Sequence, residues 1–380
     1  MAGALEGIRI VEFANYVSGP YAGMLLADLG ADVIKVEEPG KGDPFRGWGR
    51  VEYSPTFGSV NRNKKSIVLD LKSAEGKANA RALVAAADVL IENFRTGAME
   101  RLGLGYDDLK GDNPGLIYCA ITGFGSTGPY AKRPGYDTVG QAMSGLLSLL
   151  TDLDKPNPMG ISLSDHLSGM VATQGILAAL VARGRTGKGQ RVDTSLLEAT
   201  LSFCGENAAN YFENGKTPSR ATRTHRAQVY AFVASDGKPL VIHLSSPAKF
   251  WEGLVKVVGK PEWLADPRFA TKETRGKNYA ALHEALSAVF RTDTRAAWLD
   301  RLLAADVPSA PLNNFDDVFA DPQVKHLEMR VDVPHRTLGK VSLLRNGLRM
   351  SETPTSIRSA SPELGEHTEE VLAELGKKKR

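Results

Sequence analysis

The chain opens with a strand–helix–strand alternation that restricts it to very few folds. Ile8–Phe13 is an apolar run of strand length, Tyr21–Leu29 follows with the composition of a buried helix, and Ala31–Glu37 is a second apolar run. Ser18 is placed to cap the helix, and Gly30 to follow its last turn. Strands joined through a helix run parallel, so this βαβ unit predicts an α/β fold.

The alternation continues beyond this first unit. A helical pattern near Ser73–Ala86 is followed by strand-like apolar runs at Asp88–Ile91 and Leu116–Ile121. Because the crossover helices of a parallel sheet cover its faces, this order predicts a sheet that is buried on both sides. Apolar residues are dense enough for buried helices at Thr138–Leu150 and Leu167–Arg183, and a third helix is expected at Ser195–Phe212.

The pattern changes after Gly215. Two strand-like runs joined by a turn at Ser235–Lys238 indicate a β-hairpin, and amphipathic segments follow it. The expected elements are strands at Gln228–Ala234 and Pro239–Leu244, helices at Ala248–Val258 (capped by Ser246), Tyr279–Phe290 and Thr294–Ala304, strands within Val331–Leu348 and a helix at Glu366–Leu375. The predicted fold class is α/β: a Rossmann-like parallel-sheet large domain plus a smaller α+β domain. We place the large domain at 1–215, the small domain at 216–325 and a return segment completing the large domain at 326–380.

Composition excludes several classes of protein. A chain of 380 residues with 42% hydrophobic and 24% charged residues has the composition of an ordinary globular protein. Its net charge of +3 gives no electrostatic footprint for nucleic acid. Cys119 and Cys204 lack the spacing of a zinc or redox site, so no metal is expected. The N-terminus lacks a signal-peptide pattern and no uninterrupted apolar run reaches roughly 18 to 20 residues, so we expect a cytoplasmic protein without membrane contact.

One glycine motif imitates a dinucleotide-binding fingerprint. Residues Gly123–Gly128 match GxGxxG and follow a predicted strand. The fingerprint requires its last glycine to open a helix, whereas Pro129, Pro134 and Gly135 interrupt the residues that follow. We therefore expect a loop that approaches a ligand or another chain, and no nicotinamide or flavin site.

Two polar segments at predicted strand ends are candidate ligand sites. The basic run Asn61–Lys65 lies at the entrance of a strand, where it is either a solvated edge or a phosphate cradle. Glu92–Arg95 ends another strand, where open α/β sheets bind ligands. Within it, Phe94 is either a core residue or a surface for a flat heterocycle.

A single acidic residue lies in the apolar and hydroxyl-rich stretch Met159–Met170. In these surroundings the carboxylate of Asp165 would be partly desolvated, which raises its pKa and makes the ionised form a stronger nucleophile or base. The simpler interpretation is a helix N-cap, because Asp is favoured there before an apolar helical run. The pattern alone favours the cap.

The first half of the chain contains sequence blocks specific enough to indicate a family. They are Leu5–Phe13, Ser18–Pro20, Leu26–Glu37, Gly42-Asp43, Asn61–Lys72, Glu75-Gly76, Ala87–Val89, Glu92–Arg95, Ile121–Tyr130, Arg133–Asp137, Gln141–Gly145 and Thr186–Glu198. Weaker blocks follow at Asp236-Gly237, Asp266–Phe269, Val307-Pro308 and Asp321-Pro322. Together they resemble the class III CoA-transferases, the CaiB/BaiF-like family of formyl-CoA transferase and carnitine-CoA transferase.

The resemblance implies which residues react and bind. The family's catalytic carboxylate lies between two glycines, which align with Gly160 and Gly169, so the resemblance favours Asp165 as a nucleophile over a cap. The implied CoA contacts are Val17, Leu69, Lys72, Asn93, Phe94, Arg101 and Leu102. Two positions depart from formyl-CoA transferase. Glu38 replaces an Arg after the second strand, and His243–Pro247 replaces a glycine-rich loop.

The resemblance also implies the reaction and the assembly. CoA would pass from an acyl-CoA thioester to a free carboxylic acid through an aspartyl anhydride and an enzyme-CoA thioester, with no tightly bound cofactor. Loops around Ser18-Gly19 and Gly140-Gln141 are candidate N–H donors to the tetrahedral intermediates, and His166 is expected to be a structural neighbour. Family members form interlocked homodimers, which we expect here.

Two other functions and the choice of substrate stay open. The α-methylacyl-CoA racemases share the scaffold but carry a His in the block that reads Gly135–Asp137 here. A tyrosine, the residue at position 136, is generally a poor base near neutrality. A CoA-binding protein without catalysis would have no use for Asp165. The basic residues Arg220, Arg223, His225 and Arg226 either receive the free carboxylate of a dicarboxylate such as succinate or form a solvated linker.

Overall fold

The computed structural model describes residues 2–49, 53–158, 160–245 and 247–378. The chain divides into two compact units. The first comprises Met1–Leu147, Pro158–Ala208 and His326–Arg380, and the second comprises Ser148–Asn157 and Ala209–Lys325. The first unit is therefore assembled from three separate stretches of the chain.

Strands and helices alternate along most of the chain. The strands are β1 (Arg9–Phe13), β2 (Asp32–Glu37), β3 (Lys64–Val68), β4 (Val89–Glu92), β5 (Ile117–Thr122), β6 (Arg191–Ser195), β7 (Val229–Val233), β8 (Pro239–His243), β9 (Ser309–Pro311), β10 (Arg330–His335) and β11 (Gly339–Leu344). The helices are α1 (Ser18–Asp28), α2 (Pro55–Asn61), α3 (Ala74–Ala85), α4 (Ala98–Arg101), α5 (Tyr106–Leu109), α6 (Asp137–Met143), α7 (Leu146–Leu150), α8 (Leu163–Thr186), α9 (Leu196–Phe203), α10 (Gly205–Asn214), α11 (Arg220–Ala227), α12 (Ala248–Val257), α13 (Lys272–Lys277), α14 (Tyr279–Phe290), α15 (Arg295–Ala304), α16 (Phe315–Ala320), α17 (Pro322–His326) and α18 (Thr368–Lys378). Short 3-10 helices occur at Pro44–Gly47 and Pro261–Leu264.

The first unit is organised around a parallel six-stranded sheet. Its strand order is β3-β2-β1-β4-β5-β6, which is that of a Rossmann fold. Ile10 of β1 pairs with Val33 of β2 on one side and with Val89 of β4 on the other, and both pairings are parallel. The predicted parallel-sheet α/β fold is confirmed. The carboxyl ends of β1 and β4 mark the switch point at which such sheets bind ligands.

Helices cover both faces of this sheet. Alternate residues of a strand face opposite sides, so β1 contributes to two apolar cores. Val11 and Phe13 belong to a core that residues of α3 and α18 complete, whereas Ile10 belongs to a core that residues of α1 and α8 complete. Helices α1 and α8 therefore lie on the same face and pack against each other.

Helix α8 is long and apolar enough, by length and composition, to span a membrane. The sequence nevertheless contains no uninterrupted apolar run of that length, because Ser168 and Gln174 interrupt this one. In the fold, α8 packs against α1, α9, β5 and β6. Its residues Ala172, Ile176 and Ala179 are buried in the core of the first unit. These contacts are those of a core helix.

The ends of α1 differ partly from their prediction. Ser18 is the first residue of the helix and not its cap, because the N-cap residue is Val17, which forms no side-chain capping bond. Gly30 has a φ of 109°, a left-handed conformation that glycine adopts without strain. The predicted role of Gly30 beyond the helix end is therefore confirmed.

Two of these three predicted helices are interrupted. The segment 138–150 breaks at Gly145, whose φ is 82°, and the segment 195–212 breaks at Cys204. The helix expected at 195–212 thus consists of α9 and α10, and none of the residues of α10 is buried in the single chain. Apolar content alone does not reveal such breaks, because it carries no information about where the backbone turns.

The second unit has an α+β architecture. Strands β7 and β8 form an antiparallel hairpin, and β9 pairs with the other edge of β8. Ile242 of the hairpin shares a core with Leu254 of α12, Leu286 of α14 and Leu302 of α15. The predicted hairpin and these three helices are confirmed. The predicted cap Ser246 lies outside the described residues.

The last stretch of the chain belongs to the first unit. Strands β10 and β11 form an antiparallel hairpin, and α18 packs on β3 and α3. The side chain of Asn63 holds the segment between them, because its Oδ1 accepts the N–H groups of Arg358 at 2.6 Å and Ser359 at 3.0 Å. A residue near the start of β3 is thus tied to one almost 300 positions later.

Candidate active site

A cavity of about 210 Å³ lies beyond the carboxyl ends of β1, β4 and β5. Its lining includes Asn15, Tyr16, Val17, Ser18, Asn93, Phe94, Arg95, Gly123, Arg133, Tyr136 and Asp165. This is the position at which a sheet with this strand order binds its ligand. Among the described residues that line the cavity, Asp165 alone is acidic.

Asp165 reaches the cavity from the first turn of α8. The N-cap of this helix is Ser162, so Asp165 is its third helical residue. The interpretation of Asp165 as a helix cap is therefore wrong. The backbone N–H of Asp165 donates to the Oδ1 atom of Asp137 at 3.2 Å. Asp137, and not the Asp165 carboxylate, therefore accepts this N–H at the start of the helix.

The surroundings of Asp165 favour its protonated form. Burial, and to a lesser degree the negative charge of Asp137, raise the pKa of Asp165 to about 7. Within the part of the chain that the structure describes, no basic side chain forms an ion pair with Asp165 to oppose this shift. A carboxylate held in this way is a better nucleophile than an ordinary aspartate.

A close crossing of α8 over α1 sets the place of Asp165. A β-carbon added to Gly169 would lie 2.7 Å from the backbone oxygen of Ser18 and 3.0 Å from the Tyr21 ring. Glycine is thus required for the two helices to approach this closely. Because residues four apart share a helix face, Asp165 lies on the same side of α8 as Gly169, towards the start of α1.

Asp137 and Gln141 of α6 support the start of α8. The Asp137 Oδ2 atom accepts a hydrogen bond from Gln141 Nε2 at 2.6 Å, and the same amide donates to the Ile161 carbonyl at 3.0 Å. Gln141 Oε1 is buried and has no protein partner among the described residues. This group of bonds fixes the backbone on which Asp165 is carried.

Asn93 fastens the loop between β1 and α1. Its Oδ1 atom accepts the Asn15 N–H at 2.9 Å, and its Nδ2 atom donates to the Asn15 carbonyl at 2.7 Å and to Ser18 Oγ at 3.0 Å. Asn93 was predicted as a CoA contact. The structure places it at the cavity, with most of its hydrogen-bonding capacity used by the loop.

The predicted CoA contacts divide into two groups. Val17, Asn93 and Phe94 line the cavity together with Asp165. Leu69, Lys72, Arg101 and Leu102 do not line it. Leu69 is buried in one core of the sheet, against which Phe94 and Leu102 also pack, whereas Lys72 and Arg101 are exposed. Phe94 thus lies both at the cavity and against the core that contains Leu69.

Two arginines at the cavity were not predicted as site residues. Arg95 and Arg133 are exposed, and neither forms an ion pair with a described residue. The guanidinium of Arg133 lies 3.8 Å from the centre of the Tyr130 ring. Both arginines fall inside the sequence blocks that carry the family resemblance, but sequence alone does not show that their loops meet at Asp165.

The ring of His166 and the backbone N–H of Gly140 both form contacts with nearby residues of the chain. The His166 Nδ1 atom lies 2.7 Å from the Ser162 carbonyl, and its ring packs on the Tyr21 ring with centres 4.7 Å apart. These contacts agree with the structural role expected for His166. Gly140 donates its N–H to the Tyr136 carbonyl at 3.1 Å within α6, so its predicted role as an oxyanion donor is wrong.

The basic run before β3 serves the interior of the first unit. Arg62 forms a bidentate pair with Asp28, with distances of 2.7 and 3.0 Å, and Lys64 Nζ lies 2.8 Å from Glu12 Oε2. Both basic side chains are buried. Their charges are therefore neutralised internally, and neither a phosphate cradle nor a solvated edge describes them.

The basic residues of the second unit have partners of their own. Arg220 forms a bidentate contact with Asp152 at 2.7 and 3.2 Å, and Arg226 donates to Asn210 at 2.8 Å. The ring of His225 stacks on the ring of Tyr279 with centres 4.1 Å apart. Arg220 and Arg226 are thus engaged locally within this unit.

The structure also bears on possible cofactor sites. After the glycine motif, the next helix begins at Asp137, so Gly128 does not open a helix as a dinucleotide fingerprint would require. Gly123 instead lines the cavity, where its backbone lies against that of Gly135. Among the described residues, no group of three or more His, Cys, Asp or Glu side chains is arranged to hold a metal ion.

Comparison with known proteins places the chain in a family. The model of CoA-transferase family III matches residues 5–368. Succinyl-CoA:glutarate CoA-transferase of Mus musculus is 38% identical, covering 98% of this chain and 86% of that protein. Succinate–glutarate CoA-transferase of Agrobacterium fabrum is 37% identical, with 98% and 95% covered. The crystal structure of a CAIB/BAIF family protein from Brucella suis is 39% identical, with a TM-score of 0.88, covering 99% of this chain and 100% of that one. The chain is thus similar to these proteins throughout its length and belongs to CoA-transferase family III.

Proposed function

We propose that this CoA-transferase moves CoA between acyl-CoA thioesters and dicarboxylic acids, with Asp165 as the nucleophile. The observation that carries the proposal is the placement of Asp165. It is the acidic residue of a cavity at the switch point of the sheet, and burial raises its pKa to about 7. Carboxylates with such surroundings are typical of covalent catalysis.

The reaction takes place by exchange at carbonyl carbons. Ionised Asp165 attacks the donor thioester, the C–S bond breaks, and CoA thiolate leaves a mixed anhydride on Asp165. The thiolate attacks the side-chain carbonyl carbon of Asp165, which releases the donor acid and forms an enzyme-CoA thioester. The acceptor carboxylate attacks this thioester and expels the thiolate. The thiolate finally attacks the acyl carbon of the acceptor, which yields the new acyl-CoA and regenerates the Asp165 carboxylate.

Backbone N–H groups at the start of α1 are suited to stabilise the tetrahedral intermediates. Ser18 and Gly19 donate no backbone hydrogen bond to any residue that the structure describes. Ser18 lines the cavity, and the crossing at Gly169 holds this end of α1 against α8. N–H groups at a helix start favour negative charge, and one preorganised donor contributes about 3 kcal/mol to a barrier of this kind.

Arg95 and Arg133 support a dicarboxylic substrate. The two relatives above are named for succinyl-CoA or succinate and for glutarate, whose CoA esters keep a second, free carboxylate. Arg95 and Arg133 line the Asp165 cavity, and a guanidinium binds a carboxylate in a bidentate manner. This assignment replaces the basic group Arg220–Arg226, two of whose arginines have partners in the second unit.

Two variants and a trapping reaction test the nucleophile. We expect Asp165→Asn and Asp165→Ala to abolish transfer from succinyl-CoA to glutarate while CoA binding stays measurable by calorimetry. In the wild type, acyl-CoA followed by hydroxylamine or borohydride should change the mass of the peptide that contains Asp165. Ordinary turnover by either variant, or an unmodified peptide under trapping conditions, would exclude Asp165 as the nucleophile.

We further propose a cytoplasmic, interlocked homodimer, on the basis of the family resemblance. In the single chain, Val181 of α8 and Phe203 of α9 are 65% and 62% exposed, which is typical of surfaces that a partner covers. We assign CoA binding and catalysis to residues 1–215, completed by 326–380, and a separate small domain to 216–325.

A further inference from the structure

We propose that Asp43 and Lys35 are positioning residues that hold the backbone of residues 14–17, one wall of the Asp165 cavity, in its reactive geometry. The inference rests on the proposed function of that cavity. Neither side chain lines the cavity, and both are fully buried. They would therefore act through the loop and not by touching the substrate.

The two side chains bind the loop at successive peptide groups. Lys35 Nζ donates to the Ala14 carbonyl at 2.6 Å, and Asp43 Oδ1 accepts the Tyr16 N–H at 3.2 Å. Lys35 and Asp43 are joined by an ion pair of 2.9 Å. A displacement of either side chain would thus be passed directly to the loop backbone.

The conformation of Tyr16 shows that the loop is held under strain. Tyr16 has a φ of 63°, in the left-handed region that residues with a β-carbon rarely adopt. Such conformations persist where the surrounding contacts determine them, and they concentrate at functional sites. The Tyr16 ring lies edge-on to those of Phe45 and Tyr136, with centres 5.4 and 5.8 Å apart. The loop is therefore fixed by its peptide groups and by its side chain.

The charged side chains behind the loop form buried ion pairs with equal numbers of positive and negative groups. Lys35 also pairs with Glu12 at 3.1 Å, and Glu12 pairs with Lys64 at 2.8 Å. All four of the side chains in these pairs, including Asp43, have no exposed surface. Buried ion pairs are weak evidence for stability, because apolar residues of similar volume often stabilise a fold equally well. The direct bonds of Lys35 and Asp43 to the loop give these two side chains a role beyond stability.

The same loop is held from the other side by Asn93, which binds both peptide groups of Asn15. Residues 14, 15 and 16 thus each have a side-chain partner, and those partners come from β2, the loop after β2 and the end of β4. Since a displacement of about 1 Å at an active site can cost 10²-fold in rate, this arrangement is expected to matter for kcat.

Asp43→Asn tests the inference, with Asp28→Asn as its matched control. Asp28 is equally buried and paired with Arg62, but it lies at the opposite end of α1. We expect both variants to lower Tm to a similar extent. We expect Asp43→Asn alone to lower kcat, by about 10²-fold, with a much smaller change in KM for acyl-CoA. A folded Asp43→Asn enzyme with kcat within threefold of wild type, or an equal loss of kcat in Asp28→Asn, would overturn the proposal.

A second measurement applies if Asp43→Asn does not fold. In the wild-type enzyme, hydrogen exchange at the Tyr16 amide should be as slow as in the core of β1, because its N–H is bonded to the buried carboxylate of Asp43. Exchange at the rate of an open loop would overturn the proposal. Asp165→Asn, assayed in parallel, separates the two claims. If Asp165→Asn is inactive and Asp43→Asn is fully active, the positioning role fails alone, whereas an active Asp165→Asn removes the proposed function itself.

Discussion

At the scale of single residues, the environment of Asp165 predicts how activity depends on pH. Burial and the charge of Asp137 raise the pKa of Asp165 to about 7, and only the ionised carboxylate attacks a thioester. We expect kcat to rise with pH to a plateau above 7 and to be about tenfold lower at pH 6. Asp137→Asn removes a like charge while keeping an acceptor for the Asp165 N–H, so the profile should move to lower pH. A profile without a step between pH 5 and 8 would contradict this.

The raised pKa of Asp165 also lowers the stability of the folded protein at neutral pH. The carboxyl group of Asp165 binds its proton more tightly in the folded state than in the unfolded state, where its pKa is about 4. The folded state is therefore penalised as pH rises from about 4 to 7. Asp165→Asn should have a higher Tm than the wild type at pH 8, and the difference should vanish below pH 4, as measured by calorimetry.

Arg133 is expected to distinguish dicarboxylic from monocarboxylic acceptors. Loss of a charge-assisted hydrogen bond costs about 1.5–3 kcal/mol, so Arg133→Gln should raise KM for glutarate by roughly 10- to 100-fold. KM for butyrate, which lacks the second carboxylate, should change little. Arg220→Gln, in the second unit, is the matched control. An equal rise with both acids, together with a rise in KM for acyl-CoA, would instead assign Arg133 to the CoA phosphates.

At the scale of elements, two glycines of α8 should respond oppositely to the same substitution. Gly169→Ala places a methyl group 2.7 Å from the Ser18 oxygen, which forces α8 away from α1 and displaces Asp165. We expect a loss of about 1–3 kcal/mol in unfolding free energy and a fall in kcat. In the single chain Gly184 faces open space, so Gly184→Ala should keep kcat and stabilise the helix by up to about 1 kcal/mol. Denaturant unfolding and steady-state kinetics measure both; equal behaviour of the two variants would refute the crossing argument.

The elements also show what sequence can and cannot predict. The order of apolar runs was sufficient for the parallel sheet, because its strands are buried on both faces and its connections are helical. The run Asn61–Lys65 was misjudged, because a basic residue looks the same in sequence whether it faces solvent or a buried carboxylate such as Asp28 or Glu12. For the same reason, Arg95 and Arg133 were missed: their role depends on loops that meet only in the folded sheet.

At the scale of the whole molecule, an interlocked homodimer makes a prediction about subunit exchange. Light scattering after size exclusion should give twice the chain mass. If each chain passes through a ring of the other, tagged and untagged dimers that are mixed in native buffer should form no mixed species. Unfolding and refolding the same mixture together should produce them. Rapid exchange under native conditions would show that the chains form a dimer that is not interlocked. A monomeric mass would exclude both the dimer and its interlocking.

The three-part construction of the first unit determines when it can fold during synthesis. Its sheet is covered by α18, whose Val371 and Leu375 are buried in one of its cores, and Asn63 is bonded to Arg358 and Ser359. The first unit is therefore completed only after the second unit has been synthesised. Most of the second unit is one continuous stretch, Ala209–Lys325, which precedes the last stretch of the first unit. The second unit can therefore fold earlier. A nascent chain that has emerged from the ribosome only as far as residue 325 should therefore hold a folded second unit and a first unit whose sheet still lacks α18, the stage at which chaperones have most exposed apolar surface to bind.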